Sequence, residues 1–142
     1  MDTMTDYTTI NHTADIGIAV AAADLPSLFK KAALAMFDQM IESADLPRKP
    51  RKKNFKVEIK GGSQEELLVG FLSELLSLSD SREVVFRDVE FMELTVNKLR
   101  AIATGVPRRH FTYKTEIKAV TYHDLKIGYW NKQYHVQIIF DV

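Results

Sequence analysis

The sequence contains no cysteine among its 142 residues. This absence excludes disulfide bonds, thiolate catalysis and zinc sites built on cysteine, so a metal ion would have to be bound by oxygen atoms or imidazole. No apolar run approaches the roughly 18 residues of a membrane-spanning helix. The acidic start, residues 1–6, also lacks the basic region of a secretory signal. We therefore expect a cytoplasmic protein with no membrane partner.

Charge of one sign and recognised catalytic motifs are also missing. The 19 basic and 19 acidic residues cancel, so no overall field attracts nucleic acid or anionic lipid. The sequence has no glycine-rich phosphate loop, no G-x-S-x-G elbow and no H-E-x-x-H zinc motif. His110 and His135 are isolated in the sequence and receive no role. We predict that the chain is not an enzyme acting by itself.

Two segments have the periodicity of amphipathic helices. Asp24 is the predicted N-cap of the first, which runs to residue 40, and Ser63 and Glu66 form a capping box for the second, which ends near residue 80. The predicted strands are 7–10, 16–20, 55–60, 84–86, 89–96, 99–105, 115–122, 125–129 and 134–142. This order predicts a single α+β domain over residues 1–142, with largely antiparallel sheets packed with two helices.

A basic run follows the first helix and supports one alternative function. It comprises Arg48, Lys49, Arg51, Lys52 and Lys53, five positive charges within six residues. Clustered cations bind RNA phosphates by releasing counterions. No stacking aromatic residue is interleaved, however, and a solvated loop is the commoner explanation of such a run. Together with residues 108–109, the run would serve an RNA-binding module or modulator of a tRNA-modifying enzyme. A chaperone-like binder, which would protect unrelated clients without metal, is a separate alternative.

Carboxylates near the two ends of the sequence suggest a metal site. Asp15 lies where two short strands meet, and Asp141 and Val142 directly follow an apolar strand. Oxygen ligands of this kind suit Mg²⁺ or Ca²⁺, whereas zinc would be expected to recruit His12 as well. An aspartate in a turn more often forms the turn than binds a metal, and a strand at a chain end often frays. Both explanations stay open at this point.

Four segments, in order along the chain, resemble those of the archease family. They are His12-Thr13-Ala14-Asp15-Ile16-Gly17-Ile18, Phe86-Arg87-Asp88, the stretch from Lys118 to Ile127, and Phe140-Asp141-Val142. The resemblance covers essentially the whole chain. It implies a small α+β protein that assists the RtcB-type RNA-splicing ligase, which joins tRNA halves.

The resemblance also implies roles for particular residues. Asp15 and Asp141 match the family's metal-binding aspartates, Val142 adds a main-chain or terminal oxygen, and Lys118 matches the lysine needed for ligase activation. The implied cofactor is a divalent cation, Ca²⁺ in the first place, with Mg²⁺ or Mn²⁺ as alternatives. The implied activity is to promote guanylylation of the ligase by GTP and to support multiple turnover. GTP and tRNA halves would then be indirect partners, bound by the ligase.

Overall fold

The computed structural model describes residues 7–11 and 15–142. Within them it contains ten strands and two α-helices. In chain order they are β1 (Tyr7–Asn11), β2 (Asp15–Ala22), α1 (Leu25–Met40), β3 (Ile41–Ala44), β4 (Lys53–Lys60), α2 (Gln64–Arg82), β5 (Val84–Leu94), β6 (Lys98–Pro107), β7 (Phe111–Tyr113), β8 (Ala119–Val120), β9 (Gly128–Trp130) and β10 (Gln133–Asp141).

The strands of the described residues form three antiparallel sheets. The large sheet has the order β1-β2-β10-β8, with β9 also paired to β10. The three-stranded sheet has the order β4-β6-β5, and β3 pairs with β7 in a two-stranded ribbon. The predicted α+β class with antiparallel sheets and two helices is therefore confirmed. In the large sheet, the first and last long strands of the chain lie side by side at the centre.

Helix α1 begins as predicted but is buried on more than one face. The Asp24 carboxylate accepts a hydrogen bond of 2.8 Å from the Ser27 amide, which satisfies an amide at the helix start that has no partner within the helix. The spacing of apolar residues predicts one buried stripe, formed by Leu25, Leu28, Phe29, Ala32, Met36 and Met40. Ala33, Leu34 and Ala35 lie outside that stripe and are nevertheless buried. The reason is that α1 contacts β2 of the large sheet and β5 of the three-stranded sheet. Tertiary packing thus removes the exposed face that an amphipathic surface helix would have.

Helix α2 has the predicted N-terminus and a slightly later C-terminus. The Ser63 hydroxyl accepts a hydrogen bond of 3.1 Å from the Glu66 amide. The helix continues to Arg82 rather than ending near residue 80. Glu83 ends it with a left-handed backbone (φ 53°), and its amide donates to the Ser79 carbonyl. The buried leucine and phenylalanine face of α2 packs against the three-stranded sheet and β8.

Two strand predictions in the second half of the chain are wrong in extent. The expected strand 115–122 is reduced to β8, and the expected strand 125–129 is reduced to β9. Between them a turn forms around Asp124 (φ 50°). The Ile127 amide then donates to the Glu65 carboxylate of α2 at 2.9 Å instead of to a strand. A side chain of the helix therefore takes the place of a strand partner.

Other differences concern strands that the pattern divided or missed. The two expected strands 84–86 and 89–96 form one strand, β5, whose register shifts twice against β6. Each register shift changes which residues face the core, so two segments whose apolar residues alternate out of step can belong to the same strand. The ribbon of β3 and β7 was not predicted, since each strand is only 3 or 4 residues long. The sequence also predicts a turn at residues 130–133, between two of its strands, and the structure confirms it, because Asn131 and Lys132 both have positive φ, as a tight hairpin turn requires.

Candidate functional site

The register of the large sheet places Asp15 directly opposite Asp141. The Asp141 carbonyl accepts a hydrogen bond of 2.7 Å from the Lys118 amide, on the side away from β2. The Ile139 carbonyl, two residues earlier, faces the same way and accepts from the Thr121 amide at 3.0 Å. Asp15 and Asp141 are therefore a non-hydrogen-bonded pair, the arrangement in which opposed side chains lie closest, with Cβ atoms about 5 Å apart.

Both carboxylates lie on the outer face of the large sheet. Alternation along β10 places Val136, Ile138 and Phe140 in the core, so Asp141 lies on the other side. The same alternation puts Ile18 and Val20 of β2 inward and Asp15 outward. Asp141 is exposed and Asp15 is half-buried. The pair forms an acidic surface site at one end of the sheet, accessible to solvent and to a partner. We call Asp15, Asp141 and Val142 the carboxylate rim.

Lys118 is connected to the carboxylate rim through the backbone. Its amide holds the Asp141 carbonyl, and Ala119, the next residue, pairs with Asp141 in β8. The Lys118 side chain is exposed and lines a cleft of about 480 Å³ between α2 and residues 116–120. The structure thus brings Asp15, Asp141 and Lys118 to one end of the large sheet.

A second cationic residue in that cleft has partners within the chain. The Arg108 guanidinium lies 2.9 Å from the Glu116 carboxylate and 4.1 Å from the ring centre of Tyr113. The hydrogen bond from Arg108 to Glu116 is the main reason that the pKa of Arg108 is raised. Burial raises the pKa of the Tyr113 phenol, while the Ser79 hydroxyl and Arg108 oppose that rise. Arg108, which the sequence grouped with Arg109 for RNA binding, is therefore engaged in the fold.

The chemistry of the carboxylate rim suits a hard divalent cation. Two like charges directly opposite each other on a sheet repel, and an ion between them reverses that repulsion. Carboxylate and main-chain oxygens are the donors that Ca²⁺ and Mg²⁺ prefer. Val142 follows Asp141 and is 36% exposed. Among the described residues, no group of three or more His, Asp or Glu side chains is arranged to hold a metal ion.

One predicted ligand cannot be placed. His12 lies outside the described residues, as do its neighbours Thr13 and Ala14. Its suggested secondary role in metal binding stays a prediction.

The basic run lies apart from these elements, in the irregular segment before β4 and at its first residue. Arg48, Lys49, Arg51, Lys52 and Lys53 are all exposed. Lys53 Nζ lies 5.5 Å from the ring centre of Phe55, the only ring contact recorded for the run within the described residues. Lys52 contributes a small part of the lowering of the pKa of Asp88, which the hydrogen bond from Lys30 dominates. Exposure is compatible with both the solvated-loop and the RNA-contact explanations.

Sequence reasoning missed the pairing of Trp130 with His135. The two rings stack with centroids 3.9 Å apart and planes 4° apart. Trp130 was assigned to a turn and His135 received no role. The register of the hairpin was the available signal, because a turn centred on residues 131–132 brings the two residues close together on one face.

Comparison with known proteins identifies the family of the chain. The sequence profile of the Archease protein family matches residues 7–142. The chain belongs to the archease family. It is similar to the protein archease of Pyrococcus abyssi, with 40% identity over 133 residues, covering 86% of this chain and 91% of that protein. It is also similar to the protein archease of Methanosarcina mazei, with 32% identity covering 96% of this chain and 95% of the relative.

Two solved structures of the family have the same fold. The solution structure of Methanobacterium thermoautotrophicum protein 1598 matches with a TM-score of 0.71 and 25% identity, covering 96% of this chain and 98% of that one. The crystal structure of a Thermotoga maritima archease, described as a possible chaperone, matches with a TM-score of 0.65 and 21% identity, covering 94% of both chains. The second likeness concerns the fold alone. In the part of the chain that the structure describes, no helix is long and apolar enough to cross a membrane.

Proposed function

We propose that the protein is a non-enzymatic activator of an RtcB-type RNA-splicing ligase. In this proposal the carboxylate rim and Lys118 form the site that activates the ligase. One observation carries the proposal: strand register places Asp15 opposite Asp141, and the Lys118 amide holds the Asp141 carbonyl. The backbones of the three family-matched residues, far apart in sequence, thus lie together at one end of the sheet. Membership of the archease family supports the same conclusion.

The proposed site holds a divalent cation, Ca²⁺ in the first place, through the carboxylates of Asp15 and Asp141 and a main-chain oxygen of Val142. When bound, the ion supplies positive charge at the carboxylate rim and fixes the orientation of the two carboxylates. The sheet holds Asp141 between β2 and β8, so its backbone is positioned from both sides. Such a rim is rigid enough to present charge to a partner without ordering a loop first.

Lys118 supplies the cationic contact of the proposed interface. Its exposed side chain lines the cleft, and its ammonium group can contact a phosphate or a carboxylate of the ligase pocket. The activating effect is to favour transfer of GMP from GTP to the ligase's histidine. A hundredfold increase in that rate requires only about 2.7 kcal/mol of differential stabilisation, within reach of a few charge-assisted contacts. In this proposal GTP and tRNA halves are substrates of the ligase and contact the activator only indirectly. The proposed location of both proteins is the cytoplasm.

The test is ligation of an RNA that ends in a 2′,3′-cyclic phosphate by limiting ligase with GTP and divalent metal. With the protein present we expect the ligase to pass from near-single to multiple turnover and ligase-GMP to accumulate faster. Asp15→Asn, Asp141→Asn and Lys118→Ala should each lose most of that stimulation.

Matched controls separate the site from general charge effects. Asp45→Asn and Lys56→Ala change exposed residues outside the rim and should stimulate the ligase as the unchanged protein does. Full stimulation by a folded Asp15→Asn variant would overturn the role of the carboxylates. Absence of any stimulation of an active ligase would overturn the proposed function and favour the RNA-binding or chaperone-like alternative.

A further inference from the structure

The hairpin of β9 and β10 presents one tryptophan in a fixed orientation on the outer face of the large sheet. The indole of Trp130 stacks on the imidazole of His135, with ring centroids 3.9 Å and planes 4° apart. His135 Nε2 also lies 3.2 Å from the Trp130 carbonyl oxygen, within hydrogen-bonding distance. This second contact holds the imidazole beside the indole. Even so, 58% of Trp130 stays exposed. An indole that is covered on one face and open elsewhere is unusual for a side chain that serves only the core.

Gly128 makes this orientation available. It is paired with His135 and lies two residues before Trp130, on the same face of the sheet. A Cβ atom at Gly128 would lie 2.5 Å from Cζ3 of the Trp130 ring. The ring therefore occupies the space that any other residue at position 128 would fill. Backbone, imidazole and indole together form a preorganised stacking surface.

The surroundings of Trp130 form a cleft of about 530 Å³ with charged and amide groups. Lys31 and Lys126 supply cations, Gln133 and Gln137 supply amides, and Asp124 supplies one carboxylate. The Lys31 ammonium donates to the Ala21 carbonyl at 3.0 Å, which places it at the cleft. An aromatic platform beside cations and bidentate amide groups is the combination that binds a nucleobase with its phosphate.

We propose that this cleft binds a nucleobase together with its phosphate, the base stacking on Trp130 and the phosphate meeting Lys126 and Lys31. Gln133 and Gln137 offer donors and acceptors to the base edge. The Asp124 carboxylate lies where a ribose hydroxyl or a base amino group can donate to it and disfavours a phosphate at that side. The base and phosphate belong to a single-stranded RNA or to a free nucleotide.

This site is separate from the carboxylate rim. His135 and Asp141 are six residues apart on β10, which corresponds to about 20 Å at the usual rise of a strand. It also differs from the basic run, which lies beside β4 in another sheet. The inference goes beyond the proposed ligase activation and does not depend on it, because it is tested with the protein alone.

The test uses the intrinsic fluorescence of Trp130, the only tryptophan in the sequence. A hexamer of adenylate, a hexamer of uridylate, AMP and GTP are titrated into the protein at low salt. Stacking of a base on the indole should quench its emission in a saturable manner. Saturable quenching by the hexamers alone would identify single-stranded RNA as the ligand, and equal quenching by mononucleotides would identify a free nucleotide. No saturable quenching by any of them would overturn the proposal.

Variants then test the stacking surface by anisotropy of a labelled oligonucleotide or nucleotide. Trp130→Leu and Gly128→Ala should each weaken binding about tenfold, the second because its Cβ displaces the ring from His135. The matched control is Tyr129→Leu, which changes an equally exposed aromatic residue on the opposite face of the same strand, where its ring lies against Tyr134. Equal loss in the control would overturn the assignment to Trp130.

Charge is tested in the same way. Lys126→Gln should weaken binding and reduce its salt dependence by about one unit, while Lys132→Gln, in the hairpin turn outside the cleft lining, should not. Circular dichroism confirms that each variant is folded. If the ligase protein quenches Trp130 and no nucleotide or RNA does so, the surface contacts a protein and the proposal is wrong.

Discussion

Replacing Asp141 by asparagine should make the metal-free protein more stable. The substitution keeps the shape of the side chain and removes one of two like charges that face each other across a non-hydrogen-bonded strand pair. For charges as far apart as the Cβ atoms of such a pair, about 5 Å, the repulsion is about 3 kcal/mol for an effective dielectric of 20 and about 1 kcal/mol for water. Because Asp141 is exposed, we expect the lower value, a rise in Tm of about 3 °C.

Calcium should reverse that order. An ion at one hundred times its Kd stabilises the folded protein by about 2.7 kcal/mol, which corresponds to a rise in Tm of about 8 °C. The Asp141→Asn variant lacks one of the two carboxylates and should show little of this rise. The assay is thermal unfolding followed by circular dichroism at low ionic strength, with a chelator or with a calcium series.

Two comparisons make the result specific. Asp15→Asn should behave as Asp141→Asn does, and the double variant should gain no more than one single variant, since the repulsion needs both charges. Asp45→Asn, in an exposed segment, should leave Tm and the calcium response unchanged. A lower Tm of Asp141→Asn with chelator, or an unchanged calcium response, would refute the electrostatic argument and the metal site built on it.

Three further predictions concern other parts of the molecule. Tyr113→Phe should not destabilise the protein, because the neighbouring Ser79 hydroxyl donates to the Val84 carbonyl and leaves the buried phenol oxygen without a hydrogen-bond partner within the described residues. Burial raises the pKa of Tyr113 in the folded state, so its titration leaves stability unchanged below about pH 10 and lowers stability as pH rises from there towards the folded-state pKa. Denaturant unfolding should therefore show a smaller loss of stability above pH 10 in the variant. Ser63→Ala should cost about 1 kcal/mol in the same assay, through the lost hydrogen bond to the Glu66 amide. If the basic run contacts RNA, replacing Arg51 and Lys52 by glutamine should weaken RNA binding and lower its salt slope by about two; unchanged binding would favour a solvated loop.

Local chemistry was sufficient to predict the two helices. An N-cap aspartate or serine satisfies amide groups within its own helix, so its effect does not depend on distant residues. Asp24 and Ser63 accept the expected hydrogen bonds. The strands of the first hairpin and of β10 were predictable for a similar reason, because alternating or β-branched segments favour extended backbone wherever they pair. The residues of the carboxylate rim were named on chemical type and on a family resemblance.

Partners that are distant in sequence decided the remainder. The strand expected at 125–129 shortened because Glu65, more than 60 residues away, takes the amide of Ile127. The burial of Ala33 on α1 depends on contact with two sheets that no helical pattern reveals. The register that sets Asp15 against Asp141 is also tertiary, since the two strands lie at opposite ends of the sequence. A shift of one residue would send either side chain to the other face of its sheet, and only the packing of the buried face selects the observed pairing.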